Sequence, residues 1–556
     1  MILRSSAAVG SLAVLFLAAC GQRSTEASGA SASASATSAS HQGKPKPRVL
    51  RVGTYRGVKG PYSTIQAAVD AAGPGDWVLV GPGEYHETGA PDSGVLITTP
   101  GIRGLDRNGV IVDGTLPGHG ACSADSAAQN PGPLDGSGVA IGRNGIQVLE
   151  VDGVSIENLT ACNFLSGSGG NGNEIWFNGG DGSGSIGMGS YRGAYLTASS
   201  TFFHGDSGYV AQYGIFASNA SGPGTIEESY ASNMADSSFY VGACRDCNAV
   251  LRRLHAQNSA LGFSGSNAGG HLVIEDSEWD HNRTGILPNS LANDDPPSPQ
   301  DGSCPDKPGR SCTLIRRNHV HDNNNPNTPA LGLTAGAPVG TGIDLSGGRN
   351  NTVRDNLVEN NGAWGVLVND YPDPTGPEVP AYCAGGVVDF EPPPPYDAFF
   401  GAIFGPGVPC YFHAFGNRIL DNRLMANGTF GNDTNGDLAN ATLPYPTNNC
   451  FDGNVDPGAG APTTAPADLQ DPSVAGTCGA SWEGDPAQVM ALFAQALCAA
   501  YGLCPLGGTY PQPTQVAMLP IPRNLPGMKN PCKGVPRNPW CDDGEGDDRG
   551  AGNGDD

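Results

Sequence analysis

The side chains best equipped for chemistry in this sequence fall into two files with matching spacing. His255, Glu278 and His319 each stand just past a short run of the type Leu251-Arg252-Arg253-Leu254, Ile274-Glu275-Asp276-Ser277 or Ile315-Arg316-Arg317-Asn318, and Asp280, His321 and Glu359 occupy the place two residues further on. If each run belongs to one strand of a stack, alternate residues share a face and these six project outward as two adjacent rows. Imidazoles set beside carboxylates at that spacing suit a proton-transfer pair or a metal site. They also suit a plain solvated strand exterior, as does the neighbouring ladder Glu227, Arg252, Glu275, Arg316 and Arg354, which reads as stacked surface ion pairs.

A second set lies at the outward position of another repeated triplet: Phe216, Tyr240, Ser264, Leu287, Asp344 and Leu367. Phe216 and Tyr240 on neighbouring turns would make an aromatic platform of the kind on which sugars stack, although aromatics also fill cores. Cys244-Arg245-Asp246-Cys247 is the one Cys-x-x-Cys. Redox or zinc chemistry would need a thioredoxin-like context or a second ligand pair, neither of which the sequence offers, so a corner disulfide or pairing with nearby loops fits better.

What must position these residues is a repeat. Over residues 213–370 the segments Tyr213-Gly214-Ile215-Phe216, Ser238-Phe239-Tyr240, Gly262-Phe263-Ser264, Gly285-Ile286-Leu287, Gly342-Ile343-Asp344 and Gly365-Val366-Leu367 superpose as small, buried-type, variable, at a period in the low twenties interrupted once. Four or five residues beyond each run of the Leu251-Arg252-Arg253-Leu254 type comes an asparagine: Asn233, Asn258, Asn282, Asn323, Asn361 and Asn427. Short strands with Gly or Asn corners at a fixed period are a solenoid signature, because one coil cannot bury its apolar side alone. Asn tolerates left-handed corners and can hydrogen-bond from coil to coil. The expected fold is therefore all-β, a right-handed parallel β-helix.

Composition agrees. The chain has 556 residues with 83 Gly and 46 Pro, which suits turns and short strands. A formal net charge of -25 excludes nucleic acid as a partner, since that rewards clustered Lys and Arg. Residues 1–19 read as a targeting segment: Arg4, an apolar run too short to span a bilayer, then Leu17-Ala18-Ala19-Cys20. That tetrapeptide resembles the lipobox of bacterial lipoproteins, which implies cleavage before Cys20, lipidation of its thiol, export and attachment to a bacterial cell membrane or outer membrane. Residues 20–47 are a Ser/Ala-rich tether. Setting Cys20 aside leaves fourteen of the 15 cysteines, an even number in a compartment that permits disulfides, with connectivity open.

The folded part begins near Arg48. Ser63-Thr64-Ile65-Gln66 reads as a capping box opening a short helix, followed by Pro74-Gly75-Asp76 and Val80-Gly81-Pro82-Gly83-Glu84-Tyr85. This stretch resembles the amino-terminal cap of the pectin-lyase-like superfamily, in which a helix closes the open end of a right-handed β-helix. The solenoid is expected over residues 48–442, with Pro-rich insertions lacking strand periodicity at about 289–310 and 370–410 that would wall a groove. Residues 443–541 form a Cys-rich carboxy-terminal element with one helix starting at Asp485-Pro486, a candidate cap for the far end. Residues 542–556 are an acidic tail expected to be disordered.

Tyr213-Gly214-Ile215-Phe216 is similar to the Tyr-Gly-Phe-Asp-Pro-His signature of the mannuronan C5-epimerases. Phe216 stands where that family has its catalytic Asp and Ser218 where it has His, so the resemblance implies fold and substrate class without the catalytic pair. The segment 235–242 resembles a recurrent piece of bacterial β-helix repeat proteins and points to Asp236 and Tyr240. Pectate lyases and polygalacturonases use clustered Asp, with Ca²⁺ or as acid and base, and Asp294-Asp295 is the comparable pair here. The expectation is an exported lipid-anchored protein that binds or processes polysaccharide by lyase, epimerase or hydrolase chemistry, with Ca²⁺ as the candidate cofactor. Its catalytic candidates are Asp236, Tyr240, His255, Glu278 and His319, and its substrate-binding candidates Phe216, Tyr240, Asp280, His321 and Glu359. The alternative is a non-catalytic adhesion or scaffold protein of the same fold.

Overall fold

A computed structural model describes residues 46–541 apart from 100, 181–184, 293–303, 305, 306, 308, 309, 374–379, 406, 444–447 and 472–484. The leader, Cys20, all but the last two tether residues, Asp294-Asp295, Cys478 and the acidic tail lie outside the described residues. Three long parallel sheets form a solenoid. Sheet I has 12 strands, from Val49–Val52 to Cys450–Asp452; sheet II has 10, from Gly83–Tyr85 to Arg423–Met425; sheet III has 11, from Ser93–Ile97 to Thr464–Ala465. Each regular coil contributes one strand to each sheet in turn, as Gly224–Glu227, Tyr230–Ser232 and Ser237–Gly242 do.

Alternation along these strands builds the core. Ile226, Leu251, Ile274, Ile315, Val353 and Ile419 stack as one inward column, and Ala256, Trp279, Val320, Val358 and Leu424 as another. The outward residues of sheet I pair as the sequence spacing suggests, with Arg252 on Glu227 at 2.7 Å and Arg316 on Glu275 at 2.7 Å.

Corners are held by asparagine. Asn282, Asn323, Asn361 and Asn427 hand hydrogen bonds upward, side-chain nitrogen to side-chain oxygen, at 3.0–3.1 Å. A second ladder, Asn318, Asn356, Asn422 and Asn454, runs along the corner between sheets I and II. In these coils the residue before the ladder position takes the left-handed backbone, as at His281, Asp322 and Asn360. Asn233 and Asn258 depart from this by one residue: they adopt positive φ themselves, and Ser259 takes the inward place, accepting from the Met234 amide.

Helix α1 (Ile65–Ala71) closes the amino-terminal end with Ile65, Ala68 and Val69. Its first turn is not a capping box. Thr64 is the N-cap, the amides of Ile65 and Gln66 donate to the Glu87 carboxylate, and Gln66 reaches Asp70 and Leu96 instead. A carboxylate delivered from the adjoining coil satisfies two orphan amides at once, which a glutamine at the third position would not.

The insertion after Asp370 does contain strands, contrary to its Pro-rich sequence. Tyr371–Asp373, Val387–Phe390 and Val408–Phe412 form an antiparallel sheet beside α2 (Tyr396–Phe404), tied by Cys383–Cys410. The helix α3 (Pro486–Tyr501) lies against the outer face of sheet III, with Leu492, Cys498 and Ala499 packed among Leu367, Ala439 and Trp364. It is therefore a flank element and not an end cap, because Leu367 and Ala439 make that outer face apolar where a solvated face would be polar.

From Tyr510 onward the chain runs back toward the amino-terminal pole as a strap. Its backbone docks on Asn327, Asn258, Asn233, Asn108 and Asn158 in turn. Trp540 then buries against Tyr55 and donates to the Val58 carbonyl at 2.9 Å, inside the Cys532–Cys541 loop. Cys244 and Cys247 are joined to each other.

Candidate functional site

Two side-chain files define the outer face of sheet II. Strand register places His255 opposite Glu278, Glu278 opposite His319, and Asp280 opposite His321, with Glu359 next. The strands on either side of the Pro-rich insertion pair directly, Leu272–Glu275 with Thr313–Arg316 and Glu278–Asp280 with His319–His321, so His319 is one rung above Glu278. Contacts run diagonally. His255 Nε2 lies 2.6 Å from Asp280 Oδ1, His321 Nε2 lies 3.3 Å from Glu278 Oε1, and His319 Nε2 lies 2.9 Å from Glu359 Oε1.

Asp280 is buried beneath this network, accepting from Gln257 at 2.7 Å and held by His255 and His281. Burial alone would raise its carboxyl, but these partners win and hold it below the ordinary value. His321 shows the opposite balance: burial would lower it, while Asp322 and Glu278 keep its proton on and raise it. The side chain of Glu278 is 48% exposed, so this face is open to solvent at its centre.

Phe216, Tyr240 and Asp236 are elsewhere, on sheet III past the Asn233 corner. The structure therefore separates the sequence-derived candidates into two groups, because strands 230–232 and 237–242 belong to different sheets. On sheet III, Trp176, Phe216 and Tyr240 are register neighbours. Phe216 stacks on Trp176 at 5.2 Å and on Tyr213 at 4.4 Å, and meets Tyr240 edge-on at 4.6 Å. Tyr240 is 5% exposed and serves as support, whereas Phe216 and Tyr213 are half-buried and reach the surface.

Tyr213 donates its hydroxyl to Asp236 Oδ2 at 2.9 Å. The other carboxyl oxygen is buried without a hydrogen-bond partner. Burial pushes the Asp236 carboxyl up to about 7, against the lowering effect of Tyr213 and Ser237. Tyr213 is thus a site residue that the spacing argument left out, although its Tyr-Gly pair was conspicuous. Trp176 was also missed, since it stands in a Gly-rich passage with little repeat signal.

A family model described as right handed beta helix region matches residues 192–375. That span contains the His255–Glu359 files and the Tyr213, Phe216, Asp236 and Tyr240 group, but not Trp176. No curated protein matches the sequence significantly. Among solved structures, the chain is similar to the A-module of a mannuronan C-5 epimerase of Azotobacter vinelandii, with 14% identity, 71% of this chain and 87% of that one covered, and a TM-score of 0.36. It is similar to a mannuronic acid specific polysaccharide family 6 lyase from human gut microbiota, with 12% identity, 73% and 80% covered, and a TM-score of 0.38. A third is a DFA-IIIase from Arthrobacter chlorophenolicus A6, with 13% identity, 68% and 83% covered, and a TM-score of 0.29.

Proposed function

We propose that this protein binds a polysaccharide on the outer face of sheet III around Tyr213, Phe216, Asp236 and Tyr240, and processes it by proton transfer. The observation that carries the reading is the Tyr213–Asp236 pair: a carboxyl poised near neutrality, hydrogen-bonded to a phenol, beside a stacked aromatic surface. A carboxyl that titrates near working pH can both take and return a proton. The adjoining ring faces supply the apolar contact that sugar C–H faces use. One carboxyl with one phenol suits abstraction and return of a proton, as in elimination or epimerisation, better than hydrolysis, which uses two carboxyls across the scissile bond.

The leader and Cys20 support a further part of the proposal, export and lipid attachment. Residues 46 and 541 leave the same pole, where Val49 packs with Trp540 and Cys541, so an anchor before Val49 would present the solenoid's length away from the membrane. Cys20→Ser should move the protein from the detergent phase to the aqueous phase on partitioning, and unchanged partitioning would remove the anchor.

The glycan reading is tested with full-length protein in detergent on a polysaccharide array, with ultraviolet detection of unsaturated ends and NMR of sugar configuration on every hit. Phe216→Ala should weaken binding, and Asp236→Asn should abolish turnover while binding persists. Binding without turnover in the wild type would leave a lectin-like or adhesion module.

A further inference from the structure

The sheet II face has a different chemistry from the sheet III patch, and we infer that it holds a first-row divalent transition-metal ion, of the Zn²⁺ class, on Glu278, His319 and His321. Three observations converge. His319 and His321 are two residues apart in the strand His319–His321, so both imidazoles leave one face, and their rings stack at 4.0 Å. Glu278 sits on the adjoining rung directly opposite His319. One donor atom from each of the three lies within 4.8 Å of the others, and the His321 Nε2 to Glu278 Oε1 separation is 3.3 Å. Donors bonded to one ion at roughly 2.0–2.1 Å stand about 3.3 Å apart in tetrahedral geometry. Small side-chain rotations on a rigid rung are enough to close the set.

The surroundings fit a metal site better than a chance ion pair. His321 Nδ1 faces Asp322 Oδ2 at 2.8 Å and His319 Nε2 faces Glu359 Oε1 at 2.9 Å. Each imidazole thus has one nitrogen engaged by a carboxylate, the outer arrangement that fixes the tautomer and strengthens the remaining nitrogen as a donor. Around the three ligands stand Asp280, Asp322 and Glu359, with His255 reaching Glu278 Oε2 at 4.0 Å. From Gln257 to Glu359 neither of the two files contains Lys or Arg. Carboxylates outnumber any fixed positive charge on this face, so a dication is electrostatically favoured. Two nitrogens and one oxygen select a borderline ion over Ca²⁺, which prefers six to eight oxygens. Three protein ligands leave coordination positions open to water or to a ligand from solution.

The test is Co²⁺ spectroscopy on the full-length protein in detergent, stripped with chelator beforehand. One equivalent of Co²⁺ should give visible d–d bands of a low-coordinate nitrogen–oxygen site, which one equivalent of Zn²⁺ removes and about a thousandfold excess of Ca²⁺ does not. His321→Ala and Glu278→Gln should each lose the bands. Asp322→Asn, which alters only the outer partner, should weaken Zn²⁺ affinity by about 10–100-fold. His204→Ala, on a distant hairpin, should change nothing. Circular dichroism on each variant separates site loss from loss of fold. Absence of the bands in the folded wild type, or their persistence in folded His321→Ala, would overturn the assignment. This outcome is independent of the sheet III reading.

Discussion

Asp344 offers a quantitative test of how the sheet III face is built. It lies in the strand Thr341–Ser346, in register with Leu367 on the next rung, is 2% exposed, and has Oδ1 buried without a hydrogen-bond partner. Burial pushes its carboxyl up to about 8, with no compensating charge. The unfolded chain would ionise near the ordinary value of about 3.9. A folded-state value above the unfolded one means the folded protein holds a proton that the unfolded chain releases. The stability tied to that proton is complete below about pH 4 and is lost as pH rises, until the folded carboxyl also ionises near pH 8. The slope is up to about 1.4 kcal/mol per pH unit, so roughly 4 kcal/mol is lost between pH 4 and pH 7. Asp344→Asn removes the titration. Urea unfolding followed by tryptophan fluorescence should show the variant gaining about 4 kcal/mol relative to wild type on going from pH 4 to pH 7, whatever the fixed cost of the amide. Parallel stability curves for the two proteins across that range would refute the reasoning.

Three further outcomes follow from the same contacts. Asn356→Ala strips the amide of Asn318 and the carbonyl of Ile315 of their partners in the dry corner, and should cost about 2–4 kcal/mol of stability, read by thermal or urea unfolding. Trp540→Ala should free the end of the strap, at a cost of about 3–5 kcal/mol locally, and limited proteolysis should then cut between residues 510 and 531, where the wild type resists. If Asp236 acts as the base, kcat/KM should rise through a single ionisation near pH 7 and level off above it, and Asp236→Asn should be slower by about 10²–10⁴-fold; a flat profile would exclude it as the base.

The fold was legible because the solenoid repeats its chemistry at every rung. Val353 over Ile315 over Ile274 is visible as a column in the sequence and is the same column in space. The sheet II files were legible for the same reason, but the step across the insertion was not, since spacing alone leaves open how many rungs part His319 from Glu278, and only the strand register fixes it at one. Four further features were not. Asn233 and Asn258 look like their counterparts, yet a one-residue shift turns them outward to receive the strap, and nothing in one coil's sequence encodes a partner nearly three hundred residues away. Glu87 caps α1 from another coil, a contact that only the stacking creates. The sheet in the 370–412 insertion is held by Tyr411, Ala414 and Leu443 donating to the buried Asp370, not by periodicity. Finally, the candidate residues divide between two faces because a bend of only a few residues at Asn233 changes sheets, and sequence spacing cannot tell a bend from a continuing strand.

The measurement that bears most directly on the account is turnover by wild type and Asp236→Asn on a polysaccharide that the full-length protein binds. The account predicts new unsaturated ends or inverted sugar centres with the wild type, and retained binding without product in the variant. Equal turnover by both proteins, or failure of the folded wild type to bind any polysaccharide on the array, would contradict it.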